Sequence, residues 1–380
     1  MHYLDNAATT YVTKEVFDAM KPYFTIYGGN PSSIHQAGID AKKAINTARN
    51  TIAKLLNCYP SELVFTSGGT EATNMCLKGL AFSNHTKGEI ITTKIEHHAT
   101  LHTAQFLEDL GYSVYYLNVD EEGFIDLDEL RSLITDNTLV VSIILANNEI
   151  GTLQHIEEIK KICDNARTYL HIDAVQAITH IPIDITELDV DFISISAHKF
   201  HGPKGIGALY IKDGIQLEPL IHGGAQERER RAGTENVPYI VGFAKALEVG
   251  IKDLAEYRKR LDEYGHYLLN RLAEKGIVYR LNGPEIGEDR LPGNISLTFP
   301  NCDCHELQYQ LHRQGIYVST SSACDSNNIE VSHVIKAIYP EIDDHKDGAL
   351  RISLGSNTKY EDIDAFISAI IPLIKKVDQL

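Results

Sequence analysis

A lysine that closes an apolar run is the residue in this chain best suited to covalent chemistry. Phe192-Ile193-Ser194-Ile195-Ser196 reads as a buried strand, and it stops at His198-Lys199. A loop punctuated by Gly202, Pro203, Gly205 and Gly207 follows. Desolvation and nearby positive charge both lower a lysine pKa, and such an amine can attack a carbonyl carbon. Alone, Lys199 could equally be a loop lysine beside a glycine cluster. Its neighbours in the sequence decide between the two.

Four other strand ends carry residues of complementary types. Thr66-Ser67-Gly68-Gly69-Thr70-Glu71 is a glycine turn from strand into helix. The N–H groups of Gly69 and Thr70, with the Thr70 hydroxyl, suit a phosphate at a helix N-terminus, although an ordinary capped helix start has the same look. Ile95-Glu96-His97-His98 offers an imidazole able to stack on a flat ring or to move protons, with His97 the candidate and His98 the solvated bystander. Ala146-Asn147-Asn148-Glu149 is an amide-rich loop fit to hold ring substituents. Asp173, in His171-Ile172-Asp173-Ala174-Val175-Gln176, is a carboxylate at a buried strand end and needs a positive or hydrogen-bonding partner. A protonated pyridine nitrogen would be one. A phosphate cradle, a stacking imidazole, a pyridine-facing carboxylate and an imine-forming lysine, in that order, together imply pyridoxal 5′-phosphate as cofactor.

These ends must be positioned by an alternating α/β scaffold. Leu63–Thr66, Ile90–Ile95, Val114–Leu117, Val140–Leu145, Leu170–Ile172, Phe192–Ser196 and Ala208–Ile211 read as strands. Helical patterns at Ala37–Leu56, Thr70–Leu80, Thr100–Leu110 and Ile156–Arg167 lie among them. Short β-branched runs alternating with amphipathic helices predict a mainly parallel sheet covered on both faces, with ligands beyond its carboxyl ends. One long helical pattern from Val241 to Lys275 is expected to cross into a smaller α+β domain, with strands near Asn294–Phe299 and Leu350–Leu354 and helices near His305–Gln314 and Asp362–Lys375.

Composition narrows the functional classes. The chain has 380 residues and a net charge of −17, with no basic stretch long enough to offset it, which argues against nucleic acid or an anionic membrane as partner. No apolar run approaches membrane-spanning length and the first residues do not resemble a signal peptide, so a cytoplasmic protein is expected. Six cysteines are too sparse for a disulfide scaffold, so a special cysteine would be catalytic or metal-binding. Cys302-Asp303-Cys304-His305 reads as a loop leading into a helix, a fourth metal ligand not being evident.

With these motifs in view, the sequence resembles the cysteine desulfurases of the NifS/IscS type, in the class V aminotransferase group of fold-type I pyridoxal phosphate enzymes. The resemblance runs nearly end to end, through Leu4–Thr10, Thr66–Asn74, Glu96-His97, Asn147–Gly151, Asp173–Gln176, Ser196–Gly207, Arg231–Val237, Ser319–Ser326 and Arg351–Gly355. It implies a fold-type I transferase: a large domain (14–258) with a mainly parallel seven-stranded sheet, and a smaller α+β domain (1–13 and 259–380) carrying a catalytic cysteine loop. It implies Lys199 as the cofactor's attachment point, Asp173 at the ring nitrogen, Gln176 at the phenolic oxygen, and His97 stacked on the ring and acting as acid/base. Asn148 would be a further ring contact, and Gly69, Thr70, Ser196 and His198 would hold the phosphate. Thr234 would reach the phosphate from the other subunit of a homodimer. Cys324, in Ser321-Ser322-Ala323-Cys324-Asp325, would take the substrate's sulfur as a persulfide, and Arg351, assisted by Asn30, would clamp the carboxylate of L-cysteine. The sulfur would pass to an acceptor protein, an iron–sulfur scaffold or a tRNA-thiolation enzyme. Asp325 departs from the Ser or Thr common after that cysteine, and a carboxylate there would raise the thiol pKa.

Overall fold

The computed structural model describes residues 1–84, 88–320, 332–342 and 347–377. After a short strand β1 (His2–Tyr3), the chain builds a seven-stranded sheet from β2 (Leu63–Thr66), β3 (Glu89–Thr93), β4 (Ser113–Leu117), β5 (Thr138–Ile144), β6 (Tyr169–Asp173), β7 (Phe192–Ser196) and β8 (Gly207–Ile211). Their order in space is β2-β8-β7-β6-β5-β3-β4, and only β8 runs against its neighbours. Helices between strands supply the parallel crossovers.

Both faces of this sheet are buried, which is why its strands read as unbroken apolar runs. Successive residues supply opposite cores. Leu63 and Phe65, Ile91, Val141, Ile193 and Tyr210 point into one, against the helices Gln36–Leu56 and Val237–Lys252. Val64, Ile90, Val140, Phe192 and Leu209 point into the other, against the helix Gly69–Ser83. The carboxyl ends of β2, β3, β5, β6 and β7 therefore share one edge, and β8 begins there, Gly207 pairing with both Thr66 and Ser196. That approach demands glycine: a Cβ on Gly207 would lie 2.4 Å from the Ile195 carbonyl oxygen and 2.8 Å from Gly68.

A four-stranded sheet, β12-β13-β10-β9, comprises β9 (Arg280–Leu281), β10 (Asn294–Pro300), β12 (Ser319–Thr320) and β13 (Asp347–Ser353), while β11 (Ile316–Tyr317) pairs with β1. Helices Cys304–Arg313 and Tyr360–Val377 pack with it around Leu4, Leu297, Phe299, Leu350 and Phe366.

The single helix expected over 241–275 is two. Val237–Lys252 and Leu254–Glu274 are separated at Asp253, whose φ of −123° and ψ of 34° are not helical. Phe243 and Leu247 of the first serve the large sheet's core, whereas Leu261, Leu268 and Leu272 of the second serve the other. One straight helix cannot aim its stripe at both.

Candidate active site

Lys199 lies in the turn that follows β7, beneath the N-terminal arm. Its ammonium donates to the carbonyls of Ala7 and Ala8 at 2.6 and 3.0 Å. The Gln176 side-chain amide donates to the same Ala7 carbonyl at 2.8 Å. His198, just before the lysine, bonds Thr9 Oγ1 through Nδ1 at 3.1 Å, and its carbonyl accepts from Thr10. Burial, then the positive charges of Lys199 and Lys204, hold its imidazole down to about 4.

Asp173 ends β6 and is buried, its Oδ1 accepting from the Val175 N–H at 2.9 Å. Burial pushes its carboxyl up to about 6, against the opposing pull of that N–H and of the Lys199 ammonium. Beneath it a closed polar chain fixes the strand. His171 bonds Ser142 Oγ and Ser194 Oγ at 2.8 Å each, and Thr73 Oγ1 donates to Ser194 Oγ at 3.1 Å. Burial holds this imidazole neutral, down to about 3.

His97 caps the helix His98–Asp109, its Nδ1 accepting from the Ala99 N–H at 3.0 Å, so its proton sits on Nε2. Burial first, then the charge of Lys199, lowers it to about 4, and at neutral pH it is an uncharged flat ring. His98 is not the solvated bystander expected. It stacks on His102 at 4.9 Å and 6° and meets His333 at 4.9 Å. His333 bonds the Glu96 carbonyl at 2.9 Å. Glu96 itself is wholly buried; its Oε1 accepts from Thr93 and from the Ile144 N–H, and burial pushes it up to about 8 against the pull of those bonds and of the Thr100 hydroxyl.

Across the edge, the helix Gly69–Ser83 starts at Gly68 with no side chain capping its amides. A Cβ on Gly68 would stand 3.7 Å from Ser196 Oγ, and one on Gly69 would stand 3.6 Å from Ser196 Cβ and 2.6 Å from Val175 Cγ2. Thr70 is exposed in this first turn and Ser196 is buried. Uncapped amides beside a serine hydroxyl form an anion cradle that side chains at Gly68 and Gly69 would fill.

The fourth wall is Arg351 on β13. Its Nη1 donates to the Asn148 carbonyl at 3.0 Å and its Nη2 to Asp5 Oδ1 at 3.1 Å, while Nε is buried without a partner. The neighbouring Glu149 is buried, accepts from the Ser332 hydroxyl, and is pushed by burial up to about 7. Asn147 braces this loop, donating to the Ile95 carbonyl at 2.8 Å and accepting from the N–H groups of Glu149 and Ile150.

The geometry thus gathers Lys199, Asp173, Gln176, His97, His198, Ser196, Gly69, Thr70, Asn148 and Arg351 around one edge of the sheet and the arm above it. An uncapped helix start, a buried carboxylate, a flat neutral imidazole and an ammonium are the donor set that a phosphorylated pyridine aldehyde needs, and the residues fit it. Two further expected residues are exposed. Asn30 is exposed, its Oδ1 occupied by the Ser32 N–H at 2.9 Å. Thr234 is exposed on the loop after Arg231, which the Arg231–Glu71 ion pair at 2.8 Å ties to the first turn of the helix Gly69–Ser83. Cys324 and Asp325 lie outside the described residues. At 302–305, Asp303 caps the helix Cys304–Arg313 through bonds from the N–H groups of His305 and Glu306. Among the described residues no cluster of His, Cys, Asp or Glu is set to hold a metal, and no helix is long and apolar enough to cross a membrane.

Sequence reasoning missed Asp5, Glu149, Ser332 and His333, and the two alanine carbonyls that receive Lys199. Asp5 lies inside a motif already singled out, whereas a backbone carbonyl leaves no mark on the residue type.

A sequence model of the family described as aminotransferase class-V matches residues 2–366. The chain is 46% identical over 376 residues to the cysteine desulfurase IscS of Clostridium botulinum, spanning 98% of this chain and 94% of that one. Among solved structures, a NifS-like protein superposes with a TM-score of 0.92 at 40% identity, covering 98% of this chain and 99% of its own. The structure of SspA in complex with cysteine superposes with a TM-score of 0.81 at 35% identity, covering 93% and 99%.

Proposed function

The chain belongs to the aminotransferase class V family, and we infer that it is a cysteine desulfurase. It removes sulfur from L-cysteine with the help of pyridoxal 5′-phosphate, leaving L-alanine and a persulfide on Cys324. The observation that carries this reading is the convergence of Lys199 and Asp173 with Arg351, whose buried Nε is open to a further acceptor.

In this reading Lys199 would be the attachment residue, Asp173 would hold the ring nitrogen and Gln176 the phenolic oxygen, and His97 and Asn148 would be further ring contacts. Gly69, Thr70, Ser196 and His198 would hold the phosphate. When bound, the cofactor supplies an electron sink for the pair left as the substrate's α-proton departs. Lys199 Nζ takes that proton, with the Ala7 and Ala8 carbonyls keeping the amine in reach. Arg351, assisted by Asn30, holds the substrate carboxylate. The Cys324 thiolate attacks the substrate sulfur: an S–S bond forms and the carbon–sulfur bond breaks, its electron pair staying on the β-carbon, which takes up a proton, while the α-carbon regains one as alanine leaves.

Thr234 completes the phosphate site of the other subunit in a homodimer. Its exposure supports this, as does the exposure of the apolar side chains Phe17, Phe24, Ile26, Ile34 and Ile39. The division at 14–258 against 1–13 with 259–380 is supported by the separate core around Leu4 and Leu261. A cytoplasmic enzyme handing sulfur to an iron–sulfur scaffold or a tRNA-thiolation enzyme completes the reading.

The test is one assay of holoenzyme with L-cysteine and a reductant, measuring alanine and sulfide together. Equal yields are expected, lost in Lys199→Ala and in Cys324→Ala, the latter keeping the bound cofactor's absorbance. Alanine from either variant at the wild-type rate overturns the assignment.

A further inference from the structure

Two of the three guanidinium nitrogens of Arg351 are held, and by different parts of the chain. Nη1 meets the Asn148 carbonyl of the loop after β5, and Nη2 meets Asp5 of the N-terminal arm. A long side chain fixed at both terminal nitrogens keeps one orientation, and here that orientation leaves buried Nε open.

Asp5 can act as a fixed point because the arm around it cannot slide. The Asn6 side chain donates to the Ser353 carbonyl at 2.8 Å, Ser353 Oγ accepts from the Ala7 N–H at 2.9 Å, and the Ser353 N–H donates to the Leu4 carbonyl at 2.8 Å. Gly355 lies so close that a Cβ there would stand 2.4 Å from Asn6 Oδ1. Two residues further on, the Ala7 carbonyl receives Lys199 and Gln176. The stretch Asp5–Ala8 thus touches both the amine and the guanidinium of the site.

We propose that Asp5 is a positioning residue: it holds Arg351 in the orientation that meets a substrate carboxylate, and so sets the preference for substrates that carry one. This rests on the reading of Arg351 as the carboxylate clamp. Two effects of Asp5 oppose each other. Its placement of the guanidinium favours the substrate, whereas its negative charge, 3.1 Å from Nη2, competes with the substrate carboxylate. Substitution separates them. Asp5→Asn keeps an oxygen acceptor and removes the charge; Asp5→Ala removes both.

The experiment uses full-length holoenzyme with L-cysteine and with cysteamine, which has the same amine and thiol but no carboxylate. Binding is followed by the cofactor's absorbance and turnover of L-cysteine by alanine. Asp5→Ala is expected to raise the L-cysteine KM by about tenfold or more, to leave kcat within about twofold, and to leave cysteamine binding within about twofold. Asp5→Asn is expected to bring KM back to the wild-type value or below it. Should Asp5→Ala not accumulate as holoenzyme, Asp5→Ser, whose hydroxyl is too short to reach Nη2, gives the same comparison. Equal losses for both ligands would overturn the proposal, because a general disturbance of fold or of Lys199 spares neither. Tighter L-cysteine binding in both Asp5→Ala and Asp5→Asn would overturn it too, because charge alone would then be at work. Wild-type holoenzyme that forms no alanine strikes the desulfurase reading, while the ratio of L-cysteine to cysteamine binding still decides the role of Asp5.

Discussion

Glu96 offers a quantitative check on the buried electrostatics of the site. It sits in the turn between β3 and His97, wholly buried, its Oε1 engaged by Thr93 and Ile144. The negative charge of Asp173 adds to the upward push of burial. The carboxyl ionises at its ordinary 4.5 in the unfolded chain but at about 8 in the folded one. Between those values folding takes up a proton, so this group's contribution to stability is full below the unfolded value and is lost as pH rises through the folded one. Each pH unit across that window costs about 1.4 kcal/mol.

Glu96→Gln removes the titration and keeps the shape. Its amide oxygen still accepts from Thr93 and Ile144. The unfolding free energy of Glu96→Gln minus that of wild type is then expected to rise by about 3 kcal/mol between about pH 5.5 and about pH 7.5. Asp173, Glu149 and the histidines titrate in both proteins and largely cancel. Urea titrations at fixed protein concentration and saturating cofactor would measure it, with slope and midpoint fitted separately. A difference that does not change with pH would mean that Glu96 is already ionised in the folded chain, and would refute the reasoning.

His171 is the converse case. Burial holds it down to about 3 from 6.5, so its contribution is present above the unfolded value and lost as pH falls. In His171→Asn the acid-side loss of stability should ease by about 1.4 kcal/mol per pH unit between about pH 6 and about pH 4, and an unchanged acid limb in urea titrations would count against it. The buried Arg49–Glu227 ion pair, at 2.6 Å, pins a segment where Glu227, Arg228 and Glu229 all have positive φ. Arg49→Met alone should cost about 3–5 kcal/mol and the double variant with Glu227→Gln clearly less than the sum, whereas strict additivity in the cycle would show that the charges are not coupled. Gly69→Ala puts a methyl 2.6 Å from Val175 Cγ2, beside Ser196; cofactor retention on dialysis should fall by about tenfold with little change in Tm, and full retention would place the phosphate elsewhere.

What the sequence disclosed follows from where the physics is local. β2 and β7 were readable to the residue because buried strands are apolar runs cut off by turn residues, as at Ser67-Gly68 and His198-Lys199. Each candidate at a strand end could be placed because a parallel sheet brings those ends to one edge. The break at Asp253 was hidden: leucines recur at helical spacing straight through it, and only the change of core from Leu247 to Leu261 reveals the turn. His98 was misjudged for a related reason. His102, one helical turn on, was visible as a partner, but His333 comes from a distant element. Asp5 and the Ala7 and Ala8 carbonyls depend on long-range pairing of the arm with β13, which no local pattern encodes.

The same burial that moves these groups also decides which of them carry charge at neutral pH. His97 and His198 both face Lys199, and each is held near 4, so neither adds a positive charge beside the amine. Glu96 and Asp173 are both buried, and burial sends Glu96 to about 8 and Asp173 only to about 6. The difference comes from partners: Asp173 has the Lys199 ammonium opposite it, while Glu96 has no cation among the groups acting on it. Near neutrality one proton therefore rests on Glu96, and Asp173 is free to be the anion. Glu96→Gln keeps the uncharged state that Glu96 has near neutrality and should keep turnover there, and a loss of alanine formation at neutral pH would count against a protonated Glu96.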